Sequence, residues 1–377
     1  MNNVITSPAY VIDMALLRKN LELIQYVQEQ SGATIILAFK GFSTWGTFPL
    51  VRNYVKGATA SSLNEARLCF EEMGSLAYTY SPAYHPVDFE KICKYSGHIV
   101  FNSLSQLERY YKETQEVSHS ISCGLRVNPE YSVVETDLYN PCAPGSRLGV
   151  KASLLPNKLP KEIEGLHFHV LCESSAEDLV AALALFEKKF SKYFYQLKWV
   201  NFGGGHLMTS KGYNVDLLIR TLQAFKEKHK LEVLLEPGSA IAWETGVLIS
   251  EVLDLVASDG ITTAILDVSF TAHMPDTLEM PYRPKVRDAQ DAITGGQFNY
   301  RLGGVSCLAG DYMEAYDFGK ELKIGDRVVF EDMIHYTMVK TTMFNGVNHP
   351  DIVLLNEDKS TKLLKKYDYE HFKGRLG

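Results

Sequence analysis

The sequence predicts an α/β protein: a (β/α)8 TIM-type barrel followed by a C-terminal antiparallel β domain. Three observations carry this. Short β-rich runs recur through about residue 240, eight in all. The segments between them place apolar residues three and four apart, as surface helices do. After about residue 246 the helical patterns thin out, and strand-like runs separated by Gly, Pro and Asp take over. Eight strands alternating with helices close most simply into a barrel.

The runs, in order, are TIILAFK (34–40), GATA (57–60), LAYTYS (76–81), HIVFNS (98–103), ISCGLRVN (121–128), EGLHFHV (164–170), LKWVNFG (197–203) and EVLLEPG (232–238). NEARLCFEEMG and FEKICKY are examples of the helical segments between them. Ser62-Leu-Asn-Glu65, Ser103-Leu-Ser-Gln106 and Ser174-Ser-Ala-Glu177 fit the capping box that opens a helix, which gives those serines a structural default. In the second domain GVLISEVLDLVAS, ITTAILDVSF, DRVVFEDM and HYTMVKTTMF read as strands, and Tyr10–Ile12 is a further strand able to join them. The expected division is a barrel over 13–245 and a β domain formed by 1–12 and 246–377.

Composition narrows the function. Apolar residues make up 46% and charged residues 22%, ordinary for a globular protein, and the net charge of -7 argues against a nucleic-acid partner. An acidic protein suits a cationic small substrate better. The longest apolar runs, such as Thr34–Phe39, fall far short of the ~20 residues of a membrane span. The start of the chain lacks the charged lead and apolar core of a signal peptide. Six cysteines without a CxxC pair read as reduced thiols of a cytoplasmic protein.

In a barrel, catalytic groups sit at the C-terminal strand ends. Those ends carry Lys40, Ser61, Ser62, Asn102, Asn128, His169, Gly203 to Gly205, and Glu236. Lys40 closes the apolar run ILAF. It is either a lysine snorkelling at a strand end or an amine with a lowered pKa, suited to Schiff-base chemistry. NFGGGH puts three glycines after strand seven, where barrels bind phosphate. It lacks the G-x-G-x-x-G spacing of a nicotinamide site. Glu236, in LLEPG, is a surface acid opening a turn or a carboxylate able to keep a ring nitrogen protonated. His167 and His169 share a face of strand six. With His206 and Glu236 they also admit a metal site, but known barrel hydrolases carry their HxH pair on the first strand rather than the sixth, so none is expected. No G-x-S-x-G nucleophile is present.

The ordered series AFK (38–40), SLNE (62–65), LRVNP (125–129), SRLGV (146–150), FHV (168–170), GGG (203–205), EPG (236–238), GGVSCLAGD (303–311) and HYTMVKTTMFNG (335–346) resembles the fold-type III pyridoxal-phosphate decarboxylases, the ornithine, arginine and diaminopimelate group. The resemblance begins at SPAYVID and spans nearly the whole chain. It implies that Lys40 carries pyridoxal 5'-phosphate as a Schiff base and that His169 stacks on the ring. It makes Gly203, Gly204 and Gly205 the phosphate loop with Tyr336, and Glu236 the acid facing the pyridine nitrogen. Cys307 would enter the active site from the partner subunit of a homodimer, as final proton donor or positioner.

Departures narrow the choice. Ser239 replaces the arginine of EPGR, HVLC ending at Cys172 replaces HVGS, Leu308 follows the cysteine, and Thr59 stands where ornithine decarboxylases have aspartate. HFHVLCESS, EPGSAIAWETG and SCLAGDYMEAYDFG resemble most the carboxynorspermidine/carboxyspermidine branch. That resemblance implies a carboxylated polyamine as substrate, in polyamine biosynthesis. Beside Glu236, Asp276 would meet its distal amine, with Asp311 a second candidate. Diaminopimelate or ornithine as substrate, or a non-catalytic homologue with a regulatory role, are the alternatives.

Overall fold

The structure is a computed structural model describing residues 5–134, 136–279 and 282–377. The chain forms two compact units, Lys19–Ile241, and Met1–Arg18 with Ala242–Gly377. β1 (Ala9–Asp13) leads into α1 (Met14–Ser31). The first barrel strand is one extended run in two pieces, β2 (Thr34–Ile35) and β3 (Leu37–Ala38).

The other barrel strands are β4 (Ala58–Ala60), β5 (Ala77–Tyr80), β6 (Ser96–Phe101), β7 (Ser122–Asn128), β9 (Gly165–His167), β10 (Trp199–Asn201) and β11 (Glu232–Leu235), with the short β8 (Val150–Lys151) beside β7. All pair in parallel, in the order β2-β11-β10-β9-β7-β6-β5-β4-β3. Because β2 pairs with β11 while β3, one residue on, pairs with β4, the sheet closes on itself. The helices α2 (Phe48–Val51), α3 (Leu63–Leu68), α4 (Pro86–Tyr95), α5 (Leu104–Thr114), α6 (Ala176–Phe190), α7 (Val215–His229) and α8 (Ser239–Ala242) follow strands in turn. The alternation lapses once: between β7 and β9 the described residues hold only a 3-10 turn at Ala152–Leu154 and β8.

Inside the barrel Ile36, Val100, Trp199 and Leu234 form a buried cluster, flanked by Tyr78 and Tyr80. The Trp199 indole lies across Gly124 and Gly165, whose missing side chains make the room, and its Nε1 donates to Ser122 Oγ at 2.8 Å. Burying so large a ring supplies both core area and a fixed floor. The caps largely follow the pattern: Ser62 and Ser103 accept the N–H groups of Glu65 and Gln106. The third cap differs. Ser175, not Ser174, caps α6, in a box with Asp178, because Ser174 Oγ turns back to Cys172.

In the other unit β1 is an interior strand, antiparallel to β12 (Gly246–Ser258) and parallel to β18 (Asp351–Leu355). β13 (Ile261–Leu266), β14 (Gln290–Asp291), β15 (Asn299–Gly303), β16 (Tyr312–Asp317), β17 (Arg327–Glu331) and β19 (Thr361–Lys365) complete a mostly antiparallel sheet. β13 and β15 also run parallel. The expected strand at HYTMVKTTMF is absent: Tyr336 has a positive φ of 32°, and Met338–Lys340 form a 3-10 turn, which breaks any extended run. All six cysteines are free. Among the described residues no helix is long and apolar enough to cross a membrane.

Candidate active site

At the C-terminal ends of the barrel strands the fold brings together Lys40, His169, the glycine turn and Glu236. Each begins one or two residues beyond the end of its strand: β3 ends at Ala38, β9 at His167, β10 at Asn201 and β11 at Leu235. Lys40 Nζ lies 3.4 Å from His169 Nε2. Desolvation in the barrel mouth, and then the Arg126 guanidinium, hold the Lys40 amine below its ordinary pKa, although the residue stays exposed and Glu236 pulls the other way.

His169 Nδ1 accepts the N–H of Gly204 at 2.7 Å. That bond requires an unprotonated Nδ1, so in the neutral ring the hydrogen sits on Nε2, toward Lys40. Burial first, then Lys40 and Arg126, keep the imidazole well below its ordinary pKa. An Nε2–H in that place donates to the Lys40 amine whenever the amine is unprotonated.

Gly203 and Gly205 have φ of 70° and 86°, which glycine adopts without strain. The turn also runs too close to its neighbours for side chains: a Cβ on Gly203 would meet Phe168 O at 2.6 Å, and one on Gly204 would meet Glu236 O at 2.5 Å. Two of its three N–H groups are engaged within the site, Gly203 with Asn201 Oδ1 at 2.8 Å and Gly204 with His169. Gly205 is the turn's remaining donor.

Glu236 is buried, and its Oε1 accepts from Asn201 Nδ2 at 2.7 Å. Burial raises its pKa, opposed by Asn201, Lys40, Arg126 and Thr59 in that order. Below it, His167 Nε2 lies 3.7 Å from Glu236 Oε2, and the ring is held neutral by burial. His167 therefore lies beneath the acid. Among the described residues no three His, Cys, Asp or Glu side chains gather as a metal-ligand set.

The remaining candidates belong to the sheet unit. Asp276 Oδ2 accepts from Thr337 Oγ1 at 2.7 Å and Tyr282 OH at 2.9 Å, while the buried Oδ1 has no hydrogen-bond partner. Tyr336 immediately precedes Thr337. Asp311 is buried and clamps a loop: it accepts from Thr271 N, Ser306 N and Ser306 Oγ, so its carboxylate is already engaged. Cys307, in that loop, is exposed, with its N–H on Asn345 Oδ1 at 2.8 Å.

Two side chains were not singled out from the sequence. Arg126 lies 4.7 Å from the Tyr80 ring and donates to His169 O at 3.3 Å. Asn201 joins the glycine turn to Glu236. The signal for both is modest: each is an inward polar residue two positions before a strand-end residue already noted, Asn128 and Gly203.

An amine, a neutral imidazole, a close-approach glycine turn and a buried carboxylate of raised proton affinity fit pyridoxal phosphate group by group. A family model of pyridoxal-dependent decarboxylase, C-terminal sheet domain, matches residues 9–334. A carboxyaminopropylagmatine decarboxylase of Synechocystis sp. is 50% identical over 98% of this chain and 95% of its own length. A carboxynorspermidine/carboxyspermidine decarboxylase of Campylobacter jejuni is 45% identical over 98% of both. The crystal structure of carboxynorspermidine decarboxylase from Campylobacter jejuni, complexed with norspermidine, superposes with a TM-score of 0.91 at 43% identity, covering 98% of this chain and 100% of the other.

Proposed function

Because the chain belongs to the pyridoxal-dependent decarboxylases, we propose that it decarboxylates carboxynorspermidine or carboxyspermidine, in polyamine biosynthesis, with pyridoxal phosphate carried on Lys40. The observation that carries this is the convergence of Lys40, His169, the glycine turn and Glu236 in one barrel mouth. When bound, pyridoxal phosphate supplies the electron sink that lets a carboxylate leave as CO2.

The chain's own residues do the rest. Lys40, whose surroundings lower the proton affinity of its amine, would be the residue that holds the cofactor covalently. His169, locked by Gly204, would pack against the cofactor, Glu236 would hold a proton at its ring nitrogen, and Gly205 and the rest of the turn, with Tyr336, would hold its phosphate. The free, buried Oδ1 of Asp276 is the acceptor for a distal cation of the substrate. Asp311 positions the loop that carries Cys307, and Cys307 of the partner subunit positions or donates the final proton in a cytoplasmic homodimer. Lys40, Glu236 and Cys307 together weigh against a non-catalytic role.

A second reading rests on one observation: the 50% identical relative is named for carboxyaminopropylagmatine, whose distal group is a guanidinium. One carboxylate oxygen at Asp276 accepts from either an ammonium or a guanidinium. The test is CO2 release from carboxynorspermidine, carboxyspermidine, carboxyaminopropylagmatine, diaminopimelate and ornithine in parallel. The carboxylated polyamines are expected to be turned over well ahead of the two amino acids. Preference for diaminopimelate or ornithine would overturn the proposal, and preference for carboxyaminopropylagmatine would select the second reading.

A further inference from the structure

Asn201 closes β10 and sends its side chain into the barrel, where it is 2% exposed. Its Oδ1 accepts the Gly203 N–H at 2.8 Å and its Nδ2 donates to Glu236 Oε1 at 2.7 Å. The Gly203 bond fixes which end of the amide is oxygen, so the donor must face Glu236. One rigid, planar group therefore spans the glycine turn and the buried acid. We propose that Asn201 is a positioning residue that keeps Glu236 ionised and aimed at the ring nitrogen of bound pyridoxal phosphate, and ties that carboxylate to the glycine turn. The inference rests on the reading above that this mouth holds that cofactor.

The side-chain chemistry is restrictive. The turn needs an acceptor and Glu236 needs a donor, and at this reach an asparagine supplies both. An aspartate would still accept from Gly203, but it would set two carboxylates in hydrogen-bond contact, and such a pair retains a proton. The other groups facing Glu236 are Lys40 from the first strand, Thr59 from β4, Arg126 from β7 and His167 from β9. Lys40 and Arg126 favour the ionised carboxylate through space. Asn201 adds a short direct bond, and its loss would strand a buried charge.

The two ends of the amide can be tested apart, in the full-length holoenzyme loaded with pyridoxal phosphate labelled with 15N in the ring. Asn201→Asp keeps the acceptor for Gly203 and removes the donor to Glu236. The 15N signal is expected to move from its pyridinium position toward the unprotonated one, and kcat to fall on the order of 10²-fold. KM and the rate of cofactor dissociation stay near those of the parent. Asn201→Ser releases both ends: the signal moves less, because no second carboxylate is introduced, and cofactor dissociation speeds up roughly tenfold. A residue of purely structural importance would lower the melting temperature in both variants without moving the ring signal, and that outcome overturns the inference. If Asn201→Asp fails to fold, Asn201→Ser carries the same decision: an unmoved ring signal overturns the inference and a moved one supports it. A parent protein that binds no pyridoxal phosphate would overturn the cofactor reading itself, a result distinct from binding with an unmoved signal.

Discussion

The indole of Trp199 occupies the space that Gly165 leaves by having no side chain: a Cβ added at Gly165 would overlap three atoms of the ring. Gly165→Ala must therefore push Trp199 off its seat over Gly165 and Gly124. Overpacking of this kind costs about 1–3 kcal/mol. A lower urea midpoint together with a shift in tryptophan emission is expected. Parent-like values of both would mean that the ring has room to move.

Lys40→Ala should fold and should yield no cofactor trapped by borohydride; trapping that persists at another lysine would remove Lys40 from its role. The parent's behaviour with pH is also fixed in sign. A lowered amine pKa means that the neutral, reactive form is gained as pH rises through a value below the ordinary 10.5. The rate at which the apo-protein captures pyridoxal phosphate should climb with pH and reach half its maximum below that value.

Asp276→Asn should raise KM for the carboxylated polyamine about 10- to 100-fold, from the ~1.5–3 kcal/mol of a hydrogen bond to a charged group. Cofactor content should hold. Unchanged kinetics would take Asp276 out of the substrate site.

If Cys307 acts across a homodimer, Lys40→Ala and Cys307→Ala proteins, each inactive, should complement when mixed and exchanged. One of the two sites in each mixed dimer then lacks both substitutions, so activity recovers to about a quarter of the parent's. No recovery after verified subunit exchange would place Cys307 in its own chain's site or in none.

Three histidines, His98, His206 and His273, are pushed by burial down to about 4 from the ordinary 6.5. Between those values the unfolded chain binds protons that these folded rings refuse, so the three histidines withdraw stability as pH drops from 6.5 toward 4, against a smaller opposite contribution from the raised carboxyls of Glu65, Glu113, Glu236 and Asp267. The ceiling is about 1.4 kcal/mol per pH unit for each histidine. Urea unfolding at pH 7, 6 and 5 measures it; a flat profile would show that these rings take up protons while folded.

The barrel was legible because each inner strand announces itself twice, by an apolar run and by a polar residue where the run ends. Lys40, His169 and Glu236 were visible for the same reason. HYTMVKTTMF misled because its β-branched and aromatic residues suit a strand, whereas the backbone at Tyr336 turns left-handed. Ser174 misled by one position because two serines in a row offer two cap registers, and only the fold decides between them. Asn201 was silent for a deeper reason. Its partners lie two residues ahead and just past the end of the neighbouring strand, so its role exists only once β10 and β11 are in register.

The place of β1 has a consequence for how the chain is made. β1 emerges from the ribosome before the barrel segment, yet its parallel partner β18 begins only at Asp351, after all of it. At the ~5–20 residues per second of translation, β1 waits roughly 20–70 s for that partner. The barrel is one uninterrupted stretch, Lys19–Ile241, and is free to close first. Deleting β1 should then leave a nascent chain able to form its barrel while the later sheet lacks an interior strand, a defect that surfaces only once β12 and β18 have been made.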